Sequence, residues 1–263
     1  MRSCWIVYDR RDLERNRFFA ERLAQRGREL GMDASVVLTD CLPPGCPDCA
    51  VNRSRDADLA ERLEDGGAAV FNSSRVTRIC NDKLETYRMA ECIGVPFLPV
   101  SPPGGPLPPG PPWVVKSRVG HGGTEVFRAD SPGEVAGAVE RLEGRLPLVQ
   151  SMASDPGRDM RVYVLGGRVL ASVMRTGRSD FRANHGLGGD AALCGLPGDA
   201  ADAVERVCAE LEPDLAGVDF VFSGGRALLN EVEDAVGTRM LYELTGLDPA
   251  GLLMGLVHSK TSL

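Results

Sequence analysis

Short apolar runs alternate with amphipathic stretches along the first 80 residues of the chain. Four of these runs have the length and composition of buried β-strands, at residues 4–8, 35–38, 49–52 and 68–71. Apolar positions at helical spacing predict a helix over 12–30 and a shorter one over 57–63. The alternation predicts a small open α/β sheet, and in such sheets the functional edge lies at the carboxyl ends of the strands.

Proline and glycine mark a change of pattern in the middle of the chain. A helix is predicted over 82–93, with Asn81 as its N-cap, and a strand follows over 97–100. Residues 102–112 then contain only Pro, Gly and one Leu. Because such a segment forms neither a helix nor a central strand, we expect a stiff surface connection there.

Beyond residue 112 the pattern is typical of hairpins. Strands are predicted at residues 113–117, 125–128, 148–150, 160–165, 169–174, 218–222 and 227–233. Helices are predicted over 132–142 and 199–211, and further helices end the chain. A loop rich in Gly, Asn and Arg covers residues 176–190.

Composition narrows the class of protein. The 263 residues carry a formal net charge of −7, which argues against a nucleic-acid partner bound through its phosphates. No apolar run approaches the roughly 18 residues of a membrane span, so we expect no membrane partner and a cytoplasmic location. Eight cysteines predict free thiols. The three that cluster, Cys41, Cys46 and Cys49, lack a fourth ligand for zinc.

Three acidic residues near the C-terminus lie in a strand-turn-strand pattern, GVDFVFSGGRALLNEVE. Because side chains alternate along a strand, Glu231 and Glu233 share one face, and the tight turn brings Asp219 opposite them. Hard cations that hold nucleotide phosphates prefer oxygen ligands of this kind. The triplet therefore predicts a magnesium site, with a strand end carrying solvated acids as the alternative.

Two further features are candidates for binding anions. The glycine loop of KSRVGHGGTEV follows Lys116, and its backbone amides can approach phosphate oxygens because no Cβ blocks them. A plain hairpin turn is the alternative for this loop. Arg53 and Arg55 follow the third predicted strand, where they either grip a carboxylate or remain solvated.

Taken in order, these motifs resemble those of the RimK-like branch of the ATP-grasp carboxylate-amine ligases. Four segments carry the resemblance: NDKLETYRMAECIGVPFLPV, WVVKSRVGHGGTEV, DMRVYVLGGRVLASVMRTGRSDFRANHGLGG and GVDFVFSGGRALLNEVE. The resemblance implies an α/β (α+β) chain with an ATP-grasp fold. It implies an N-terminal open α/β (pre-ATP-grasp) domain over 1–80, a central lid subdomain over 81–150 and a C-terminal domain with the metal site over 151–263.

The resemblance also implies a role for each matching residue. ATP would be bound by Lys83, Lys116, Gly120, His121, Gly122, Gly123, Gln150, Ser151, Asp159 and Asn184. Catalytic roles are implied for Arg175 and Arg182. One or two Mg²⁺ ions, with Mn²⁺ as an alternative, would be held by Asp219, Glu231 and Glu233. The candidates for binding the substrate are Arg53, Arg55 and His185.

The implied activity is an ATP- and magnesium-dependent ligation that forms an amide or peptide bond through an acylphosphate. The implied substrate is a small molecule or a peptide, and a homo-oligomer is in keeping with the family. Two residues depart from the family pattern: Glu233 replaces the usual Asn, and Ser151 stands where many relatives carry an acid. Two alternatives stay open, a small-molecule kinase of the same fold and a noncatalytic nucleotide-binding protein.

Overall fold

Four parallel strands form the first sheet in the computed structural model, which describes residues 1–102, 104–120, 125–177 and 190–262. They are β1 (Ser3–Tyr8), β2 (Asp33–Leu38), β3 (Cys49–Asn52) and β4 (Ala69–Phe71), in the order β2-β1-β3-β4. The helices of this region are α1 (Arg10–Glu29), α2 (Ala57–Asp65) and α3 (Ser74–Cys80). Their N-caps are Asp9, Asp56 and Ser73, and the side chain of each accepts a hydrogen bond from a backbone N–H of the first helical turn.

The second sheet is antiparallel and follows the Pro-Gly segment. Its strands are β5 (Val100–Ser101), β6 (Trp113–Ser117), β7 (Val126–Ala129) and β8 (Pro147–Ser151), in the order β5-β8-β6-β7. Helix α5 (Pro132–Glu140) covers one face of the sheet. Trp113 and Val115 are buried there against Val135 and Ala138 of this helix, which gives the second sheet a hydrophobic core of its own.

The third sheet is antiparallel and forms the back of the molecule's main cavity. Its strands are β9 (Arg158–Leu165), β10 (Arg168–Thr176), β11 (Asp190–Leu193), β12 (Leu215–Ser223) and β13 (Arg226–Glu233). Their order is β11-β10-β9-β12-β13. The remaining helices are α4 (Lys83–Cys92), α6 (Gly198–Leu211), α7 (Arg239–Leu244) and α8 (Pro249–Thr261).

Two hydrophobic cores join the third sheet to elements that precede it in the chain. In one, Phe19 and Leu23 of α1 pack in a cluster with Leu253 and Met254 of α8. In the other, α3 and α4 contribute residues to a cluster with β9, β12 and α6. Because these cores cross residues 80 and 150, the division into 1–80, 81–150 and 151–263 stays a prediction.

The structure corrects three local predictions. Asp82, not Asn81, caps the helix that follows, since its side chain accepts the N–H of Leu84 at 3.0 Å. Asn81 instead ends α3, a helix that the sequence pattern did not predict. The strand expected over 97–100 is reduced to β5, with Phe97 making an isolated bridge to Leu229. The predicted loop over 176–190 lies largely outside the described residues.

Two predicted absences can be checked within the described ranges. No helix there is long and apolar enough to cross a bilayer. All eight cysteines are free thiols, and the described residues contain no group of three His, Cys, Asp or Glu side chains placed to hold a metal ion. The zinc alternative for the clustered cysteines therefore gains no support.

Candidate active-site cleft

A cavity of about 580 Å³ opens between the second and third sheets. Strands β6 and β8 form one wall, β9, β10 and β13 form the opposite wall, and α1 and the residues around α7 close one end. A space of this size is typical of a small-molecule site.

Lys116 lies at the centre of the first wall with its ammonium buried. Its Nζ donates to Gln150 Oε1 at 2.8 Å, to the Tyr87 hydroxyl at 3.0 Å and to Asn230 Oδ1 at 3.3 Å. Burial lowers the pKa of Lys116 to about 8, and the nearby Glu231 carboxylate only partly opposes this shift. An ammonium that is buried among neutral acceptors, and that lines the cavity, is suited to receive an anion.

Tyr87 fixes this arrangement from α4. Its hydroxyl accepts hydrogen bonds from Lys116 and from Gln150 Nε2 at 3.0 Å, and it donates to the Asn230 carbonyl at 2.6 Å. Its ring stacks on Phe97 with centroids 5.0 Å apart. The tyrosine therefore links the two walls at the point where the lysine enters the cavity.

The beginning of the glycine loop lies beside the second lysine. Lys83 contacts the carbonyl of Gly120 and lies 3.6 Å from Glu231 Oε2. A Cβ at Gly120 would come within 2.6 Å of Glu125 Oε2 and 2.9 Å of Ser117 Cβ, so only glycine fits there. The remaining predicted loop residues, His121, Gly122 and Gly123, lie outside the described residues.

Two arginines and three acids form a buried network on the opposite wall. Arg161 binds Asp219 with two parallel hydrogen bonds, Nε to Oδ1 at 2.7 Å and Nη2 to Oδ2 at 2.6 Å. Arg175 Nη2 reaches the same Asp219 oxygen at 2.7 Å and holds Asp159 through Nε at 2.5 Å and Nη2 at 3.0 Å. Arg161 Nη2 also lies 2.7 Å from Glu233 Oε2.

The two arginines of this network keep the Asp219 carboxyl group ionised. Burial alone would raise the pKa of Asp219, but Arg161 and Arg175 outweigh burial and lower that pKa to about 2. Asp159 is less well compensated, because burial raises its pKa despite the two bonds from Arg175. The deepest carboxylate of the wall is therefore the one that is held ionised.

The hairpin brings the three predicted metal ligands to one region of this wall. Asp219 is paired with Glu231 across β12 and β13, and the register shifts by one residue beside Phe220, where Asn230 is the extra residue. Glu231 and Glu233 line the cavity with side chains 31% and 25% exposed, whereas that of Asp219 is only 1% exposed.

Two carboxylates on this wall are of the kind that binds a hard cation, although the three predicted acids do not form a group of metal ligands in this structure. Glu231 and Glu233 offer carboxylates to the cavity, and Glu233 Oε2 is buried beside Arg161 without the alignment of a hydrogen bond. Carboxylate oxygens of this kind are ordinary magnesium ligands. Asp219 differs from the other two acids, because both of its oxygens already accept from arginines.

The two arginines proposed to bind substrate lie outside the cavity lining. Arg53 is buried and donates to the carbonyls of Asp234 at 3.1 Å and Val236 at 2.6 Å, so it joins the first sheet to the segment after β13. Arg55 forms an ion pair with Asp12 of α1. A substrate role for either residue would require it to leave these partners. The other predicted residues Arg182, Asn184 and His185 lie outside the described residues.

Two of the predicted ATP-binding residues, Gln150 and Ser151, lie at the end of β8. Gln150 is engaged by Lys116 and Tyr87, and both Gln150 and Ser151 line the cavity. The Ser151 hydroxyl donates to the Pro109 carbonyl at 2.6 Å, which ties the Pro-Gly segment to this strand.

Sequence reasoning missed several residues of the site. Arg161 had a local signal, because it follows Asp159 by two positions on a strand and so shares its face. Tyr87 and Asn230 had none, since only the packing of α4 against β13 brings them to Lys116.

The comparison with known proteins places the chain in a known family. Residues 109–257 match the RimK-like ATP-grasp domain. The chain is 26% identical over 259 residues to an uncharacterized protein of Mycoplasma pneumoniae, a match that covers 92% of this chain and 87% of that protein. It is 30% identical over 213 residues to a probable alpha-L-glutamate ligase of Xanthomonas campestris, covering 74% of this chain and 72% of that one.

Solved structures confirm the fold. A RimK domain ATP-grasp protein of Sphaerobacter thermophilus superposes with a TM-score of 0.75 at 22% identity, covering 97% of this chain and 98% of the other. The ATP-grasp ligase PsnB, in complex with its minimal precursor, Mg and ADP, superposes with a TM-score of 0.71 at 16% identity, covering 98% and 97%. The chain therefore belongs to the RimK-like ATP-grasp family and, with it, to the ATP-dependent ligases.

Proposed function

We propose that the protein joins a carboxylate to an amine at the expense of ATP and magnesium, through an acylphosphate. The observation that carries the proposal is the cavity itself, which places two lysines on one wall opposite an arginine-carboxylate network on the other. This arrangement suits phosphoryl transfer, in which the protein positions the groups and stabilises charge.

The chemistry occurs in two steps. An oxygen of the substrate carboxylate attacks the γ-phosphorus of ATP, a P–O bond forms, and the bond to the leaving ADP oxygen breaks. The amine nitrogen then attacks the acyl carbon, the C–N bond forms, phosphate departs with the electron pair of the broken C–O bond, and the amine loses a proton. Neither step needs a protein nucleophile.

The residues of the first wall bind the nucleotide in this proposal. Lys83 and Lys116 would neutralise phosphate oxygens, and the glycine loop that begins at Gly120 would add backbone N–H donors. Gln150 and Ser151, at the end of β8, border the adenine. The buried ammonium of Lys116 contacts three neutral acceptors, and a bound phosphate would provide it with an anionic partner.

The opposite wall carries the reacting groups. Asp159 borders the ribose, and Arg175 faces the transferring phosphoryl group, together with Arg182 and Asn184. Glu231 and Glu233 would hold Mg²⁺, with Asp219 as the third predicted ligand. Bound magnesium supplies charge neutralisation at the phosphates. His185 is retained as a residue that positions the substrate.

The names of two similar proteins support a substrate class. The Xanthomonas relative is named a probable alpha-L-glutamate ligase, and PsnB has been solved with a precursor peptide. An amino acid or a peptide is therefore the substrate that we propose for this chain.

The test measures ADP release from ATP and magnesium across a panel of amino acids and short peptides, with mass spectrometry of the products. We expect an amide product that disappears in Glu231→Ala and persists in Glu14→Ala, an exposed acid on α1 outside the cavity lining. ADP release with a phosphorylated hydroxyl product would replace the ligase by a kinase. Tight nucleotide binding without turnover on any mixture would leave only a nucleotide-binding protein.

A further inference from the structure

One end of the cavity is lined by residues to which the proposed function assigns no role. It is formed by α1 and α7 and is lined by Arg15, Phe18, Arg239 and Tyr242, among others. Helix α1 is interrupted here at Asn16, whose backbone has φ −120° and ψ 19°. The Asn16 side chain donates to the carbonyl of Asp12 at 2.9 Å and so satisfies an acceptor of the interrupted turn.

An aromatic pair forms the apolar part of this end. Phe18 is 63% exposed although it lines the cavity. Its ring meets that of Tyr242 edge to face, with centroids 5.4 Å apart and planes at 79°. Tyr242 is held in place because its hydroxyl donates to Asp248 Oδ1 at 3.1 Å, and Asp248 in turn accepts from Arg26 Nε at 2.6 Å. The pair offers a rigid apolar surface with room beside it.

Two arginines supply positive charge next to this surface. Arg15 and Arg239 are exposed, line the cavity, and have no ion-pair partner among the described residues. They differ in this from Arg161 and Arg175, whose guanidiniums are both engaged by carboxylates on the far wall. Glu243, the acid on this part of α7, has an interaction of its own. Unpaired guanidiniums facing a cavity are suited to a carboxylate ligand.

We propose that this end of the cavity binds the amine substrate, and that this substrate is a free amino acid with an apolar or aromatic side chain. Arg239 and Arg15 bind its α-carboxylate, and the Phe18–Tyr242 pair receives its side chain. The inference rests on the proposed function, since the bound amino group is the nucleophile of the second step.

The test compares amine acceptors in the amide-forming assay. L-Phenylalanine and L-leucine are compared with L-serine and L-glutamate, and L-phenylalaninamide replaces the free carboxylate by a neutral amide. We expect kcat/KM for phenylalanine to exceed that for serine, and that for its own amide, by about tenfold or more each, as one buried apolar group or one charged contact typically supplies.

Variants separate the two contacts. We expect Phe18→Ala to remove most of the preference for phenylalanine over serine, mainly through KM. We expect Arg239→Gln to remove the preference for phenylalanine over phenylalaninamide. Arg17→Gln is the matched control, because Arg17 is exposed on the same helix outside the cavity lining, and it should change neither preference.

Hydroxylamine distinguishes a failure of this inference from a failure of the proposed function. It attacks an acylphosphate to give a hydroxamate and phosphate, and it needs no amino-acid site. We expect Phe18→Ala and Arg239→Gln still to form hydroxamate, and Arg17→Gln to form it at the wild-type rate. Hydroxamate formation together with equal use of glutamate, serine and phenylalanine, or with an unchanged preference in Arg239→Gln, would overturn the inference alone. Absence of both hydroxamate and amide on every carboxylate would overturn the proposed function.

Discussion

At the scale of single residues, Lys116 is expected to lower the stability of the ligand-free protein while it serves ligand binding. Its ammonium is buried with three neutral acceptors and without a carboxylate in contact, which is costly before a ligand arrives. The lysine is therefore a residue that we expect to serve binding rather than folding.

Lys116→Met is expected to unfold at higher denaturant than the wild type at pH 7, by roughly 1–3 kcal/mol in unfolding free energy. The folded-state pKa of about 8 lies below the ordinary value of 10.5, so the unfolded state binds more protons between these values. Wild-type stability should then rise with pH above about 8, and the advantage of the variant should shrink. Denaturant unfolding of both proteins at pH 7, 8 and 9.5 measures this. A difference that stays constant over that range would contradict the account.

Arg161 is the opposite case, a charge whose removal leaves other charges unpaired. Arg161→Met should destabilise the protein by about 3–5 kcal/mol, because Asp219 and Glu233 would keep buried oxygens without their partner. Arg161→Met combined with Asp219→Asn should recover part of the loss, and Arg158→Met, at an exposed position on the same strand, is the control. Thermal and denaturant unfolding measure all four proteins. A double variant no more stable than Arg161→Met would argue against a pairing role.

At the scale of elements, the turn between β6 and β7 needs glycine at position 120 because a Cβ would not fit there, and not because its backbone has a positive φ. Gly120→Ala would push its Cβ against Glu125 and Ser117. Because the proposed function assigns phosphate binding to this loop, we expect at least about tenfold weaker ATP binding. Gly137→Ala in α5 is the matched control. Its Cβ would meet nothing within 4 Å, so the change should raise stability by roughly 0.5–1 kcal/mol and leave ATP affinity unchanged. Calorimetric titration of both variants decides whether the crowding matters.

Secondary-structure elements could be predicted from the sequence where the pattern is local. Local periodicity predicted most strands and placed Asp219 opposite Glu231, which the register confirms. It could not predict that Arg161 lies opposite Asp219, since β9 and β12 pair across more than 50 residues of chain. For the same reason, the local pattern predicted that Arg53 lies at the free edge of the first sheet. Long-range packing buries that guanidinium against carbonyls that follow β13.

At the scale of the whole molecule, hydrophobic contacts divide unevenly among the three sheets. The first and third sheets share a core that contains α1 and α8, whereas the second sheet packs mainly on α5. The two tryptophans of the chain report on the two parts separately, because Trp5 lies in β1 and Trp113 in β6. Both are buried, so each should change its fluorescence on unfolding.

Leu23→Ala removes a fully buried side chain from the shared core and should cost about 2–5 kcal/mol there. In a Trp113→Phe background, Trp5 should report a clearly lower denaturant midpoint. In a Trp5→Phe background, Trp113 should report a midpoint that moves little, because its core contains no residue of α1. Val115→Ala, in the core of the second sheet, should produce the reverse pattern.

Saturating ATP and magnesium should bring the two midpoints together, since a ligand held between the sheets binds only when both are folded. Equal shifts of both midpoints in the ligand-free protein would mean that the three sheets unfold as one unit.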